Sequence, residues 1–482
     1  MGIAKNPYLP LYEYIPDGEP RVFGDRVYVY GSHDIAGGEL GFCPGDYVAW
    51  SAPLSDLSDW RYEGVIYRRA ECPEVKEMDA LFAPDVVQGC DGRYYLYLNL
   101  REQMECRVAV SDSPAGPFEN YGPIVKPDGT VYRDWKMFDP GVVVDGDKVY
   151  LYVGFCMPGD GPKQMTDGRE VFARTSIGFL LAPDMVTILE GPFEVIPGET
   201  RARGTEFEGH AFFEASSPRL INGKFVMVYS SELSHEMAYA VSDKPFGPYK
   251  YMGALISNAD LGVQGNTAPV MPHGNNHGGM VNLSGDWYMF YHRHTHAIQT
   301  CRQGCAEKLA LREDGWFQQT EITSFGLNGG TAPAEGTLNA CYCCHLMSPE
   351  TDPNNLPITT YRQDTDPYIF EEPVGNDENR FLHYIVVHPG ETAVGYKYFE
   401  FDGSCSGVRL KLRGTGTVSV AVCLDAPDGN EIGRAETGLL PEFVAVEIPF
   451  AAGNPVAGRH ALYFRFAVRE GLNFESLEFV KE

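Results

Sequence analysis

Basic side chains are scarce in this sequence, and long hydrophobic runs are missing from it. The 482 residues include 38 Lys and Arg against 66 Asp and Glu, which gives a net charge of −28. Such a field repels nucleic acid and anionic membrane surfaces, so we expect neither as a partner, whereas a neutral substrate is compatible with it. No stretch approaches the roughly 20 apolar residues of a membrane-spanning helix, so we expect no membrane span.

A secretion signal and a metal-binding cysteine pattern are also not evident. The opening segment "MGIAKNPYLPLYEY" has no apolar run of the kind that signal peptides carry, so we expect a cytoplasmic protein. The twelve cysteines are irregularly spaced and lie mostly in apolar strands, so we expect reduced thiols that pack as small hydrophobic groups. Cys341, Cys343 and Cys344 cluster, but they do not follow the paired CxxC pattern that is typical of zinc sites.

Aromatic residues and turn formers, by contrast, are abundant. The sequence has 28 Tyr and 27 Phe, with 53 Gly and 34 Pro, a combination that favours an all-β fold. A tyrosine-rich or otherwise apolar strand introduced by a Gly, Asp or Asn turn occurs five times, as "GDRVYVYGS" (24–32), "DGRYYLYLN" (91–99), "GDKVYLYVG" (146–154), "NGKFVMVYS" (222–230) and "GDWYMFYH" (285–292). Because a second alternating strand follows several copies, each is predicted to be an antiparallel sheet of about four strands. Five such sheets predict a five-bladed β-propeller over residues 1–346.

One ionisable side chain precedes each of the five strands at a similar distance. When the strands are aligned on Tyr28, Tyr95, Tyr150, Val226 and Tyr288, these groups lie ten to twelve residues upstream: Asp17, Asp85, Asp139, Glu214 and His277. Each alone would be read as a turn residue. In a propeller, however, the starts of the innermost strands converge on the central channel, so we expect all five in one cavity.

Several carboxylates around one cavity suit glycoside hydrolysis. Neighbouring like charges raise some pKa values, and this separates an acid from a base. An inverting hydrolase needs one protonated carboxylic acid for the leaving oxygen and one carboxylate for water, about 6.5–9.5 Å apart. Acids from different blades can supply that separation. Glu214 has the apolar neighbours that raise an acid's pKa, and Asp17 beside Gly18 leaves room for water.

The motifs that carry these groups resemble those of a known family. "PDGEP", "FAPD", "FDP", "FFEASS" and "NNHGGM" occur in the order found in glycoside hydrolase family 43, whose five-bladed propellers include arabinofuranosidases, xylosidases and arabinanases. The resemblance, which extends from "NPYLP" to "SFGLNGG", implies that Asp17 is the general base and Glu214 the general acid. It also implies that Asp139 tunes and orients Glu214, that Asp85 contacts substrate or structure, and that His277 holds a hydrated calcium ion at the propeller axis.

Two further residues are candidates for substrate binding. The family uses an arginine near the end of the propeller, and Arg302 in "CRQGCAE" is the best match. Trp316 offers an indole that can stack on a sugar face. For Arg302 taken singly, a structural ion pair is the commoner role.

The rest of the chain is predicted to form a second domain. Residues 347–368 are rich in Pro, Asp, Asn and Thr and are predicted to be a linker. Residues 369–482 alternate apolar and polar side chains between regular turns, which predicts a jelly-roll β-sandwich. It is similar to family 6 carbohydrate-binding modules, and Asn473 falls where those modules bind ligand. Because no Trp follows Trp316, a sandwich that only supports the propeller is favoured over sugar binding.

These observations lead to a first hypothesis and three alternatives. The first is an exo-acting, inverting hydrolase that releases a terminal pentose from plant-type oligosaccharides, an α-L-arabinofuranosyl or a β-D-xylosyl group. A galactofuranosidase of the same fold is an alternative, because furanose pockets differ by one exocyclic carbon. A mannoside phosphorylase would need a cationic phosphate pocket. A propeller lectin would bind sugar without needing a paired acid and base.

Overall fold

The structure is a computed structural model, and it describes residues 2–36, 41–155, 162–164, 170–172, 175–349, 361–375, 377–451 and 455–481. The predicted all-β class is confirmed, since strands dominate and the helices are short. In the described ranges, the helices are one α-helix, α1 (Glu199–Ala202), and 3-10 turns at Arg69–Glu71, Val263–Gly265, Gly326–Asn328 and Ala340–Tyr342. Within these residues, no helix has the length and apolarity that crossing a membrane requires.

In the described residues up to Lys308, the strands form five antiparallel sheets in chain order, apart from one small hairpin. The first sheet contains β1 (Glu19–Phe23), β2 (Arg26–Tyr30), β3 (Tyr47–Pro53) and β4 (Arg61–Tyr67). The second contains β5 (Asp85–Gln88), β6 (Tyr94–Asn99), β7 (Cys106–Ser111) and β8 (Glu119–Pro123). In both sheets, neighbours in sequence are neighbours in space.

The other three sheets repeat this plan. The third contains β9 (Gly141–Asp145), β10 (Lys148–Val153), β13 (Thr175–Leu181) and β14 (Ile188–Pro197), and the hairpin β11 (Pro162–Gln164) with β12 (Glu170–Phe172) lies between β10 and β13 in the chain. The fourth contains β15 (Phe212–Ile221), β16 (Lys224–Ser231), β17 (Glu236–Ser242) and β18 (Lys250–Ser257). The fifth contains β19 (Met280–Leu283), β20 (Asp286–His294) and β21 (Arg302–Lys308).

The apolar repeats are the second strands of these sheets, and they supply the core between neighbouring sheets. Side chains of β2 pack with β6, those of β6 with β10, and those of β10 with β16. Side chains of β16 pack with β20, and those of β20 with β2. Each sheet therefore packs against two others, and the fifth packs against the first.

Two further sheets follow, each of six strands in the described residues. One contains β22 (Ala332–Pro333), β24 (His345–Met347), β27 (Gly390–Asp402), β29 (Thr417–Leu424), β30 (Asn430–Gly438) and β32 (Ala457–Val468). The other contains β23 (Thr337–Asn339), β25 (Tyr368–Val374), β26 (Asp377–Val387), β28 (Cys405–Gly414), β31 (Val444–Pro449) and β33 (Leu472–Lys481). Apolar side chains of both sheets belong to one hydrophobic cluster.

The chain joins these later sheets before residue 346. The short strands β22 and β24 pair with β27, and β23 pairs with β33. Part of the expected linker, 347–368, lies outside the described residues. The division into a 1–346 and a 369–482 domain stays a prediction.

Candidate active site

A cavity of about 810 Å³ lies at the starts of the first strands of the five sheets. Five of the seven predicted site residues line it: Asp17, Asp139, Glu214, His277 and Arg302. Asp17, Asp139 and His277 each stand four residues before the strand position that pairs with the aligned tyrosine of their sheet. These three residues therefore lie at one level of the cavity. Together with Ala83 and Glu214 of the other two sheets, which also line the cavity, they form what we call the carboxylate layer: Asp17, Ala83, Asp139, Glu214 and His277.

The backbone is strained at this layer. Asp17 has a φ of 58° and Asp139 a φ of 45°, and Ala215, next to Glu214, has a φ of 68°. Side-chain-bearing residues rarely adopt this left-handed region, and such strain persists only where the surrounding structure enforces it. The three acids are thus held in place by an unfavourable local conformation.

Asp17 is arranged as an ionised carboxylate. Burial opposes its charge, but Arg302 Nη1 donates to Asp17 Oδ1 at 3.0 Å and brings the pKa of Asp17 below its usual value. The Asp17 amide donates to His292 Nδ1 at 3.3 Å, and His292 Nε2 donates to the Asn275 carbonyl at 2.7 Å. Burial lowers the pKa of His292 to about 3, so this ring is neutral at pH 7. Asp17 can therefore accept a proton from water.

Glu214 is arranged in the opposite way. Burial, followed by the negative charge of Asp17, raises the pKa of Glu214 to about 8, against a smaller opposing effect of Arg302. Burial and the neighbouring Glu214 and Asp17 also raise the pKa of Asp139 well above its usual range. Because such coupling is reciprocal, Asp139 and Glu214 form a buried acid pair that keeps a proton at neutral pH. Separated proton affinities of this kind are what general acid–base chemistry requires.

His277 lies beside two of the three acids of the layer. Its Nδ1 is 3.5 Å from Asp139 Oδ2 and 4.0 Å from Asp17 Oδ1. Burial lowers the pKa of His277, which favours the neutral imidazole. In the described part of the chain, no group of three or more His, Cys, Asp and Glu is arranged to hold a metal ion.

Asp85 is not brought into the cavity, contrary to the prediction from its alignment. Its strand position is only two residues before Val87, which pairs with Tyr95, so it is equivalent to Glu19 and not to Asp17. Ala83 takes the equivalent place in the carboxylate layer and lines the cavity. The reason is strand register. Counting residues along the sequence does not show how long the turn between two paired strands is, and the turn between β5 and β6 is longer than that between β1 and β2.

Asp85 belongs to a second buried level, which we call the ion-pair layer and define as Glu19, Arg21, Asp85, Ser217 and Arg219. Arg21 donates to both Asp85 oxygens, at 3.0 and 2.6 Å, and Asp85 also accepts the Val142 amide at 2.7 Å. Arg219 donates to Glu19 Oε2 at 3.0 Å and to the Met280 carbonyl at 2.7 Å. These contacts join all five sheets directly beneath the carboxylate layer.

Replacing Asp85 with Ala is expected to destabilise the protein by about 3–5 kcal/mol, because the Arg21 guanidinium would be left in the interior without its carboxylate. Urea unfolding followed by fluorescence measures this. Asp112→Ala, at an exposed turn, is the control and should change stability by less than about 0.5 kcal/mol. Unchanged stability together with a raised KM would instead mean that Asp85 binds substrate.

Trp316 is also outside the cavity. It lies in a hairpin where Leu311 pairs with Phe317, and the Arg312 guanidinium beside it donates to the Met252 carbonyl of β18 at 2.9 Å. Its ring packs edge-on to Phe317 against the hydrophobic cluster. β18 is the last strand of its sheet, at the opposite end from the first strand, so the indole does not line the cavity.

Asp34, which was not predicted as a site residue, fixes Arg302. Asp34 accepts from Arg302 Nε at 2.8 Å, from Nη2 at 3.0 Å and from the backbone amide at 3.2 Å. The Cys43 amide donates to it as well, at 3.1 Å. A signal was available, because "GSHD" places this acid directly after a tyrosine-rich strand. Arg302 is thus held between two carboxylates, with one side facing the cavity.

Four phenylalanines and one lysine of the cavity wall were also not predicted as site residues. Phe82, Phe138, Phe155, Phe213 and Lys136 all line the cavity. Three of them carried a signal in the sequence, because Phe directly precedes Ala83, Asp139 and Glu214.

Comparison with known proteins identifies the family. The model of "Glycosyl hydrolases family 43" matches residues 20–317. A xylosidase/arabinosidase of Thermoclostridium stercorarium is 40% identical over 472 residues, which cover 96% of this chain and 95% of that protein. A xylosidase/arabinosidase of Bacteroides ovatus is 29% identical and covers 59% of this chain and 87% of that protein.

A solved structure agrees with this result. A family 43 β-xylosidase/α-arabinofuranosidase from a compost microbial metagenome, crystallised with xylotriose in a calcium-free form, aligns with a TM-score of 0.52 and 27% identity. The alignment covers 64% of this chain and 96% of that one. Taken with the layered acids of the cavity, these matches show that the chain belongs to glycosyl hydrolases family 43 and is a glycoside hydrolase.

Proposed function

We propose that the protein is an exo-acting, inverting glycosidase that releases a terminal pentose, an α-L-arabinofuranosyl or a β-D-xylosyl group, from plant-type oligosaccharides. The observation that carries the proposal is the pairing of Glu214, whose pKa is about 8, with the Arg302-bound carboxylate of Asp17 in one cavity. Relatives that match much of the chain are xylosidase/arabinosidases, which supports the choice of pentose.

In this mechanism, Glu214 donates its proton to the glycosidic oxygen as the bond to the sugar breaks. Asp17 removes a proton from a water molecule that attacks the anomeric carbon from the opposite face. Asp139 supports the protonated form of Glu214 through the coupling of the two buried acids. Arg302 keeps Asp17 ionised and lines the pocket, where its role as a direct sugar contact is part of the proposal.

The exo mode is supported by where the cavity ends. Neither Glu19 nor Asp85 lines it, and a separate cavity of about 300 Å³ lies beyond the ion-pair layer, lined by Arg21, Arg219 and Val143 among others. The paired charges thus separate two hollows on one axis. A pocket closed in this way accepts the end of a sugar chain more readily than its middle.

The arrangement of the early and later sheets is a further part of the proposal. We propose that the five early sheets are the blades of a five-bladed β-propeller and that the two later sheets form a β-sandwich. Packing of each early sheet against two others supports the first point. Packing of both later sheets on one core, with Phe464 and Phe474 ring centroids 5.8 Å apart, supports the second.

We propose that the sandwich supports the propeller and does not serve as a sugar-binding module. Lys397 Nζ is 2.7 Å from Asp260 Oδ2 and 3.1 Å from Glu321 Oε2. The His296 amide donates to the Ile369 carbonyl at 2.8 Å. Asn473, the family 6-like ligand position, satisfies its amide when its oxygen accepts from Arg413 Nε at 3.0 Å, which commits it to the protein.

A calcium ion near His277 also remains a proposal. Calcium prefers six to eight oxygen ligands, whereas His277 offers a single ring nitrogen. In the described residues, no group of three or more His, Cys, Asp and Glu is arranged to hold a metal ion, so a calcium ion at His277 would depend on water ligands. No step of the mechanism above requires it.

A panel of nitrophenyl glycosides tests the proposed activity. We expect release of nitrophenol from the α-L-arabinofuranoside or the β-D-xyloside, at a rate that inorganic phosphate does not change. Cleavage of the β-D-galactofuranoside alone would favour a galactofuranosidase, and dependence on phosphate a phosphorylase. Sugar binding without any cleavage would favour a lectin.

The stereochemistry of the product tests the mechanism separately. Proton NMR of the first sugar released should show the anomer opposite in configuration to the substrate, because water attacks from the face opposite the leaving group. Spectra are recorded before mutarotation, with the chemically prepared anomers as references. Net retention of configuration would contradict the roles of Asp17 and Glu214.

A further inference from the structure

Four phenylalanine rings form a continuous wall on one side of the cavity. The ring centroids are 5.3 Å apart for Phe82 and Phe138, 4.6 Å for Phe138 and Phe155, and 5.6 Å for Phe155 and Phe213. All four line the cavity and stay partly exposed. None belongs to the hydrophobic clusters formed by the described residues. Joined aromatic rings kept out of the core and open to solvent indicate a binding surface.

The wall lies on the outer side of the carboxylate layer. Phe82, Phe138 and Phe213 each directly precede a member of that layer, on three successive sheets. The ion-pair layer follows on the inner side, two residues further along the strands. A terminal sugar seated against the acids therefore has the ion-pair layer beyond it and the phenylalanine wall on the side from which it entered. The group that leaves the sugar must pass along this wall.

The edge of the cavity beside the wall is held firmly. Lys136 Nζ donates to the carbonyls of Leu100, Arg101 and Gln103 at 2.9, 2.7 and 2.6 Å, which fixes the loop from 100 to 103. The Arg101 guanidinium lies 5.5 Å from the Phe82 ring centroid and donates to the Phe42 carbonyl at 2.8 Å. The wall and its polar edge are therefore shaped before a substrate arrives, which lowers the cost of ordering on binding.

We propose that Phe82, Phe138, Phe155 and Phe213 form the leaving-group subsite and that it binds a flat apolar face. Two sources offer such a face, an aryl ring or the C–H face of a pyranose such as xylose. Aromatic side chains bind aryl rings by offset or edge-on stacking and add to the free energy of burying apolar area. The inference rests on the proposed function, because it takes Glu214 as the acid that protonates the leaving oxygen.

The test compares leaving groups that differ in shape but have alcohols of nearly equal acidity. Methyl and benzyl glycosides of the preferred pentose form such a pair, so a difference in kcat/KM between them reports binding of the phenyl ring. We expect the benzyl compound to have the higher kcat/KM by about tenfold in the native enzyme. In Phe138→Leu, which removes the ring but keeps an apolar side chain, the benzyl-to-methyl ratio should fall about fivefold.

A matched control and a sugar arm complete the design. Phe246→Leu removes a ring that stacks on Phe193 between the third and fourth sheets, outside the cavity, and should keep the native ratio. The ratio of xylobiose to methyl xyloside gives the sugar arm. A fall of both ratios in Phe138→Leu supports the shared subsite, and a fall of one alone identifies the source. If both ratios stay at their native values in Phe138→Leu and also in Phe82→Leu, the proposal is overturned.

Failure of the wall and failure of the proposed function are distinguishable. Hydrolysis of a methyl pentoside establishes the activity whatever the ratios are. If no pentoside is hydrolysed, calorimetry with the methyl and benzyl 1-thioglycosides gives the same comparison as a ratio of Kd values. Equal Kd values for the two thioglycosides in the native protein would then overturn the subsite. Circular dichroism of each variant confirms that a changed ratio does not come from unfolding.

Discussion

Glu214→Gln is expected to lower kcat/KM by about 10²–10⁴-fold on xylobiose, whose leaving group needs a proton. Glutamine keeps the size of the side chain but has no acidic proton to give. On nitrophenyl glycosides, whose leaving group departs as an anion, the loss should be much smaller. Steady-state kinetics on both substrates measures the difference. The native enzyme should lose kcat/KM as the pH rises through about 8, since Glu214 must be protonated.

The controls for this prediction separate chemistry from folding. Glu190→Gln makes the same change at an exposed position of β14 and should leave both substrates unaffected. In Glu214→Gln, the decline of kcat/KM above pH 8 should vanish, because the group that titrates is gone. If the variant lost equal activity on both substrates and kept the native pH profile, the acid would have to be another residue.

Asp17→Asn is expected to lower kcat by about 10²–10⁴-fold on every substrate, nitrophenyl glycosides included. The reason is that an amide cannot take a proton from water, and a better leaving group does not replace that step. Because Arg302 holds the pKa of Asp17 below its usual value, the native enzyme should keep its activity down to about pH 4. Substrate-saturated rates over a pH series measure both effects.

Asp25→Asn is the matched control for Asp17→Asn. It changes an exposed aspartate in the turn between β1 and β2, in the sheet that directly follows Asp17, and should keep native rates. A selective loss on xylobiose in Asp17→Asn, with normal cleavage of nitrophenyl glycosides, would exchange the roles proposed for Asp17 and Glu214.

Much of the fold followed from local sequence patterns. Alternation with period two and Gly turns predicted the second strands β2, β6, β10, β16 and β20 to within three residues at each end. The short strands β22, β23 and β24 were not predicted, because two or three residues carry no periodic signal and their pairing partners are distant in the sequence. The strands that were not predicted are therefore those that form through long-range pairing.

In the cavity, too, residues placed by local geometry were predicted and residues placed by long-range contacts were not. Asp17, Asp139 and His277 were found together because each lies at the same distance from its aligned tyrosine, and hairpin geometry preserves that distance. Asp85 differs by one residue in the count and by two in strand position, which moves it from the cavity to the ion-pair layer. Asp34 and the four phenylalanines were not predicted, because the sequence signals near them are local and their roles depend on neighbours from other sheets.

The bond between Arg302 and Asp17 joins residues 285 positions apart, from the last early sheet and from the segment just before the first. Contacts of such separation form late, because the entropy of closing so long a loop must be met first. Until the fifth sheet has packed against the first, Asp17 is an ordinary carboxylate in water with no guanidinium to oppose its protonation. The appearance of glycosidase activity during refolding should thus report the packing of the fifth sheet against the first and should lag behind the gain of strand structure.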